Sequence, residues 1–197
     1  MLTKYSALLV ITLIAGCATN KPDQGGVAEL VAKAHLPVKS LTAEQQAKYS
    51  AALTLLKSGD LSGAELSFKE LSLLLPDASG VFANLGVIAE AQNDEPSAIE
   101  YYNKSLSLNP SNVVALNNLG AIHTRAGHFK EASKLYLTAF KNKPDNTSVL
   151  LNLAVLNELY LHDLNSAVKY YELYQARLAS PDEIIAARIS DLGRRAD

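Results

Sequence analysis

The chain has no tryptophan and only one cysteine and one methionine among its 197 residues. With Cys17 as the single thiol, no disulfide can form within the chain. Without tryptophan, no indole ring is available to anchor the protein at a membrane–water interface. The formal net charge of −2 and the lack of a basic run argue against a nucleic-acid partner. These absences leave the spacing of the common residues as the main source of information.

A period of 34 residues runs through most of the chain. Prolines, small residues and aromatic residues all recur at this step: Pro76, Pro110 and Pro144; Ala64, Ala98 and Ala132; Phe68, Tyr102 and Tyr136. This length is typical of a helix-turn-helix unit that repeats to form a solenoid. Solenoids bind other chains along an extended curved surface, so the period favours a binding protein over an enzyme.

The unit 113–146 shows what the repeated residues do. Two amphipathic stripes predict two helices, carried by Leu116, Leu119, Ile122 and His123 and by Ala132, Leu135, Tyr136 and Ala139. Gly127 lies between them, where a left-handed residue can end a helix. Gly120 and Ala132 are small where the two helices should cross. Pro144 ends the second helix, because proline cannot continue it.

At these residues the chain resembles the tetratricopeptide repeat family. The units 79–112 and 113–146 follow the family pattern closely, and the unit 45–78 follows it less closely. The fourth unit, 147–181, departs most: Ala154 replaces the glycine, one extra residue precedes Asp163, and bulky Tyr174 stands where a small residue is usual. The resemblance implies an all-α, right-handed solenoid of about four repeats.

The C-terminus is expected to close the solenoid. Ser180-Pro181-Asp182-Glu183 is a typical helix start, and Ile185, Ile189 and Leu192 form one narrow apolar stripe. Terminal repeats need a polar outer surface, which a helix over 182–197 would supply. The alternative is that Gly193-Arg194-Arg195 docks a partner.

The N-terminus predicts a lipid anchor. Lys4 and the apolar run Tyr5 to Ala15 have the composition of a signal peptide, and the run is too short to span a bilayer. Ile14-Ala15-Gly16-Cys17 resembles a bacterial lipobox. This resemblance implies cleavage before Cys17 and lipidation of its sulfur. Since Ala18 rather than aspartate follows, it also implies the periplasmic leaflet of the outer membrane.

The predicted organisation therefore has four parts. They are a signal peptide (1–16), lipidated Cys17 with a polar tether (17–41), the repeats (42–181) and the capping helix (182–197). Thr42 and Gln45 form a capping box that places the first repeat helix near Ala43.

Three asparagines recur with the same period, and we predict that they bind a partner; the alternative is that they only face solvent. Asn84, Asn118 and Asn152 each precede the small residue at the helix crossing by two positions. The resemblance places this position in the concave groove, with Asn117 beside it. An asparagine amide both donates and accepts hydrogen bonds, so a row of them could grip a peptide backbone. The groove lacks the basic residues with which some family members hold a carboxylate. An internal segment or an amphipathic helix is therefore the expected partner.

No catalytic pattern is present in the sequence, and neither an enzymatic activity nor a cofactor or metal is expected. None of His35, His123, His128 and His162 has the spacing of a metal motif, and His123 is expected to pack in the core. The predicted function is a membrane-anchored scaffold or assembly factor of the bacterial cell envelope. Two alternatives stay open: binding of a small molecule or glycan, and self-association through the flank of the first repeat or the cap.

Overall fold

The computed structural model describes residues 41–196, and this part of the chain is helical throughout, without a strand. It contains nine α-helices and a π-helical segment that follows α7, at Asn157–Leu161. The α-helices are α1 (Ala43–Ser58), α2 (Leu61–Leu74), α3 (Ser79–Ala91), α4 (Glu95–Leu108), α5 (Val113–Arg125), α6 (Phe129–Asn142), α7 (Thr147–Leu156), α8 (Leu164–Gln175) and α9 (Glu183–Ala196). The predicted all-α fold is confirmed. The predicted signal peptide, Cys17 and nearly all of the tether lie outside the described residues.

The helices pack in consecutive antiparallel pairs. The pairs α1–α2, α3–α4, α5–α6 and α7–α8 make the most extensive contacts, and α9 packs on α8. The first helices of neighbouring repeats also touch, α3 against α5 and α5 against α7. Each repeat therefore buries its apolar face against the next, which is the packing of a solenoid.

The turn inside each repeat depends on one left-handed residue. These residues are Gly59, Asn93, Gly127 and His162, with φ angles of 83°, 63°, 78° and 55°. They end the first helices and are spaced by 34, 34 and 35 residues. The left-handed conformation predicted for Gly127 is confirmed. Asn93 and His162 adopt the same conformation, which is sterically unfavourable for residues with a side chain.

The helix crossing in the central repeats is a glycine against a tyrosine ring. A Cβ atom on Gly120 would lie 2.7 Å from Cε1 of Tyr136, and one on Gly86 would collide with Tyr102. The sequence predicts that Gly120 and Ala132 are both small because the helices cross there. The structure shows that the glycine makes room for the tyrosine instead, while Ala132 is fully buried beside it.

The fourth repeat accommodates its extra residue in the π-helical segment. Asn157–Leu161 follows α7 directly, and His162 ends it. A π-helical turn holds one more residue than an α-helical turn, so it takes up the added residue locally. Ala167 then returns to the fully buried position that Ala132 holds in the preceding repeat.

The first helix of the array, α1, and the last helix, α9, both begin with side-chain N-caps. Thr42 and Gln45 make the predicted reciprocal capping box before α1. Before α9, Oδ1 of Asp182 accepts hydrogen bonds from the backbone N–H groups of Ile184 and Ile185. Ile185 and Leu192 of α9 are buried against the fourth repeat, so the last helix covers an apolar surface that the repeat would otherwise expose.

Candidate protein-binding face

The face predicted to bind a partner is formed by the first helices of repeats two to four. We call it the groove face and define it by three positions per repeat, listed from repeat two to repeat four: Ala83, Asn84 and Val87; Asn117, Asn118 and Ala121; Leu151, Asn152 and Val155. Of the four predicted asparagines, the described structure links Asn117, Asn118 and Asn152 by hydrogen bonds, whereas Asn84 bonds to the first repeat. Their amides make hydrogen bonds within the protein.

Asn84 is fully buried and bonds to the first repeat. Its Nδ2 donates to the hydroxyl of Tyr49 at 2.9 Å. Its Oδ1 is buried too and accepts no hydrogen bond from the described residues. Burial raises the pKa of Tyr49 to about 12, although the hydrogen bond from Asn84 opposes this shift. Asn84 therefore joins the first two repeats.

The other three asparagines form a continuous chain of hydrogen bonds across the later repeats. Nδ2 of Asn152 donates to Oδ1 of Asn117 at 3.0 Å, and Nδ2 of Asn117 donates to Oδ1 of Asn118 at 3.2 Å. Nδ2 of Asn118 donates to the Tyr102 hydroxyl at 3.0 Å, which in turn donates to Oε2 of Glu90 at 2.7 Å. All donors point the same way, and such chains of hydrogen bonds strengthen one another.

The chain ends in an ion pair on the surface. Arg125, in the next repeat, donates to Glu90 at 3.0 Å and to Glu95 at 3.1 Å. Burial raises the pKa of the Tyr102 hydroxyl well above its ordinary value, and the nearby Glu90 carboxylate adds to the shift. Tyr102 therefore stays protonated and donates to the carboxylate.

The groove face opens toward the C-terminal end of the array. In repeat two, Ala83, Asn84 and Val87 are all buried, and in repeat three only Ala121 is partly exposed. All three members of repeat four are partly exposed, namely Leu151, Asn152 and Val155. A partner could thus reach Asn152 directly, whereas Asn84 and Asn118 are covered. The role of the four asparagines in binding stays a prediction.

A second tyrosine–glutamate–arginine group lies at the C-terminal end of the array. The hydroxyl of Tyr171 donates to Oε2 of Glu158 at 2.9 Å, and Nε of Arg188 in α9 lies 3.3 Å from the same oxygen. The Arg188 contact is an ion pair without the alignment of a hydrogen bond. Neither tyrosine–glutamate–arginine group was predicted from the sequence. The signal was available, since Glu90 and Glu158 are separated by 68 residues, two full periods.

One of the histidines is placed differently from the expectation. His123 is partly exposed, because it lies in the last turn of α5 where the buried face ends, and its Nδ1 is 3.4 Å from Nδ1 of His128. His128 and His162 lie in turns, as predicted. Within residues 41–196, no group of three or more histidine, cysteine or acidic side chains could hold a metal ion.

The predicted lipidation site, Cys17, lies outside the described residues. Among residues 41–196, no helix combines the length and the apolar character needed to cross a bilayer.

Comparison with known proteins identifies the repeats. Models of the tetratricopeptide repeat match residues 49–113 and 101–132. The photosystem I assembly protein Ycf3 of Cyanophora paradoxa is 29% identical over 137 residues, covering 61% of this chain and 79% of that protein. The same protein of Synechococcus sp. strain CC9605 is 30% identical over 108 residues, covering 53% and 62%. Human tetratricopeptide repeat protein 6 is 34% identical over 76 residues, covering 39% and 15%. The chain thus spans less than two thirds of the latter two relatives.

Solved structures show the same fold at lower identity. Pseudomonas aeruginosa pilF superposes with a TM-score of 0.66 and 22% identity, over 77% of this chain and 68% of that one. A MamA RS-1 double mutant superposes with a TM-score of 0.62 and 14% identity, over 80% and 88%. The helix pairs, the glycine–tyrosine crossings and the matched models lead to one conclusion: residues 49–132 contain tetratricopeptide repeats, and the described part of the chain is a helical solenoid, a kind of fold that binds protein partners.

Proposed function

We propose that this protein is a lipid-anchored scaffold of the bacterial cell envelope that binds another protein and helps to assemble or position a complex. The lipobox-like sequence ending at Cys17 supports the anchor, and the periplasmic leaflet of the outer membrane is its proposed location. The repeats support the binding role. Several relatives are named as assembly proteins, and this supports assembly as the process.

The opening of the groove face at repeat four carries the proposal for where the partner binds. Leu151 and Val155, four residues apart on α7, place apolar surface beside the Asn152 amide, and all three are partly exposed. An amide beside two apolar side chains suits a segment that offers apolar side chains and one backbone hydrogen bond. The proposed partner is therefore an internal extended segment or an amphipathic helix of an envelope protein.

Site-specific photo-crosslinking in intact cells tests this proposal. A photoreactive residue at position 152 should trap a partner. The matched control is position 137, since Leu137 is 44% exposed on α6, a second helix that lies away from the groove face. Trapping of the same partner from position 137, with nothing trapped from 152, would contradict the proposed face.

The anchor is tested separately. Cys17→Ser should abolish lipidation and leave the chain unprocessed or mislocalised, while wild type fractionates with the outer membrane. A serine variant that is processed and membrane-bound like wild type would refute the anchor. It would leave the partner-binding proposal untouched, because the repeats lie elsewhere in the chain.

Self-association is the second candidate, favoured by exposed leucines on α2. Leu66, Leu73 and Leu74 are 63%, 83% and 51% exposed, and the first two lie seven residues apart on one side of the helix. Pairing of this side with a second copy would cover them. Sedimentation should then show a concentration-dependent dimer that Leu66→Ser with Leu73→Ser abolishes. A wild-type chain that stays monomeric would exclude this candidate.

A further inference from the structure

Two histidines bring ring nitrogens together at the turn of the third repeat. His123 lies in the last turn of α5 and His128 is the N-cap residue of α6. Their Nδ1 atoms are 3.4 Å apart. The ring centroids are 5.6 Å apart and the planes are tilted by 50°. The rings are therefore not stacked face to face, and the two Nδ1 atoms face each other.

His128 departs from the repeat pattern at a place where the departure costs stability. The equivalent residues of the other repeats, Asp60, Asp94 and Asp163, each cap the second helix by accepting a backbone N–H bond. His128 makes no such bond. Loss of an N-cap typically costs about 1 kcal/mol. The third repeat therefore lacks a stabilising contact that the other three have.

His123 departs from the first two repeats at its position. The equivalent residues one and two periods earlier, Ala89 and Leu55, are apolar, whereas Asn157 one period later is polar. The two changes meet in space, because each imidazole has the other as its neighbour. Two exceptions that coincide in one turn indicate a local role beyond the packing that the repeats share.

The separation of the two nitrogens suits a shared metal ion. Imidazole nitrogens bind zinc at 2.0–2.1 Å in tetrahedral geometry, so two such ligands lie about 3.3–3.4 Å apart. The observed 3.4 Å is longer than the usual hydrogen-bond distance of about 2.9–3.0 Å. We propose that His123 and His128 form a two-imidazole binding site for a divalent transition-metal ion such as zinc.

The site would use two ligands from this chain. Among the residues that the structure describes, no third histidine, cysteine or acidic side chain joins the pair in a metal-binding group. Water would fill the other coordination positions, and these positions would also be open to a donor from a second molecule. Affinity for zinc should accordingly be well below that of a four-ligand structural site. Magnesium, which prefers oxygen ligands, should not bind.

Calorimetric titration of the full chain with zinc chloride tests the proposal, with magnesium chloride as the control ion. Wild type should bind one zinc ion, and its thermal unfolding midpoint should rise with zinc but not with magnesium. His128→Asn removes a ligand and restores a good N-cap residue. This variant should unfold at a higher temperature than metal-free wild type. It should also bind zinc at least about tenfold more weakly, since even the loss of a residue that only hydrogen-bonds to a metal ligand can weaken affinity by that much.

Two further variants make the result specific. His123→Ala should weaken zinc binding as His128→Asn does, because it removes the other ligand. His162→Ala changes a turn histidine of the next repeat and should bind zinc like wild type. Absence of zinc binding by wild type would overturn the proposal and leave a hydrogen-bonded pair only. Wild-type zinc affinity in both His123→Ala and His128→Asn would overturn it as well.

Discussion

The same three types of side chain close two junctions of the solenoid, one between repeats two and three and one between repeat four and the cap. In each, a tyrosine of the second helix donates to a glutamate of the first helix, and an arginine of the following element pairs with that glutamate. At the inner junction the side chains of Arg125 and Glu90 are 43% and 23% exposed. At the cap, those of Arg188 and Glu158 are only 18% and 8% exposed.

The same type of contact is therefore exposed and redundant at the inner junction, but largely buried and, within the described residues, without a second carboxylate at the cap. Arg125 remains accessible and shares its charge with a second carboxylate, Glu95, so the inner junction is redundant. Arg188 is ion-paired with Glu158 in a site that water reaches poorly. Charges removed from water are costly unless they are paired, so the cap junction depends on its glutamate far more than the inner one does.

The junction between repeats three and four lacks this group. Thr124 stands one period after Glu90, and its Oγ1 lies 3.3 Å from the hydroxyl of Tyr136. The asparagine chain crosses this junction instead, from Asn152 to Asn117. The repeats therefore share one packing scheme and differ in the polar contacts that join them.

Replacing each of the two glutamates should show the largest difference in unfolding free energy between the two junctions. Glu158→Ala leaves Arg188 without its ion-pair partner and the Tyr171 hydroxyl without its acceptor, and it should cost about 3–5 kcal/mol of unfolding free energy. Glu90→Ala should cost less, about 1–3 kcal/mol, because Arg125 is more exposed and keeps Glu95. Urea unfolding monitored by circular dichroism measures both values.

Glu172→Ala is the matched control, since this exposed residue of α8 has the same charge. Its unfolding free energy should stay within about 0.5 kcal/mol of wild type. If Glu158→Ala and Glu90→Ala lowered the unfolding free energy by equal amounts, the difference in burial between the two junctions would have no effect on stability.

Overpacking the ladder alanine of the third repeat should have the next largest effect. Ala132 is fully buried, so Ala132→Leu must displace neighbouring side chains and should cost ~1–3 kcal/mol. Because repeats stabilise their neighbours, hydrogen exchange should accelerate in the adjoining repeats as well. A thermal unfolding curve identical to that of wild type would show that this position tolerates a larger side chain.

Local features of the fold could be predicted from the sequence because local residues determine them. Gly127 needs only its own backbone to form the turn, and Thr42 needs only Gln45 to form the capping box. The extra residue before Asp163 was visible as a change of period, but the sequence did not indicate where it would be absorbed. Its accommodation in the π-helical segment depends on keeping α8 in register with α7.

The groove face could be predicted only in part, because its polar contacts join residues about one repeat apart. Asn84 meets Tyr49, 35 residues earlier in the chain, and Asn152 meets Asn117 at the same separation. The period predicts that these asparagines share one face. Whether that face is covered depends on how tightly consecutive first helices pack, which spacing alone does not determine.

Alkaline unfolding should reveal the buried tyrosines of the repeat junctions, Tyr49, Tyr102 and Tyr171. Burial raises the pKa of Tyr49 to about 12 and places those of Tyr102 and Tyr171 well above the ordinary value. Above pH 10 the unfolded chain loses these protons first, so stability is full below pH 10 and falls as the pH rises toward the folded-state values. Each tyrosine contributes a slope of at most about 1.4 kcal/mol per pH unit.

Urea unfolding at a series of pH values from 9 to 11.5 measures this decline. Tyr49→Phe, which removes one of the titrating hydroxyls, should lessen the slope relative to wild type. A stability that does not change between pH 10 and 11.5 would contradict the burial of these hydroxyls.

The smallest effect is expected on the outer side of the first repeat. Leu73 of α2 is 83% exposed, whereas Leu71, two residues earlier, is 1% exposed and lies in the core. Leu73→Ser should change the unfolding free energy of the monomer by no more than about 0.5 kcal/mol, since it removes little buried surface. Leu71→Ala, on the buried side of the same helix, should cost about 2–5 kcal/mol. Measured at low protein concentration, a loss for Leu73→Ser as large as that for Leu71→Ala would mean that the outer side of α2 is covered. At high concentration, a loss confined to Leu73→Ser would instead indicate that this side pairs with a second copy, because only the associated form would depend on it.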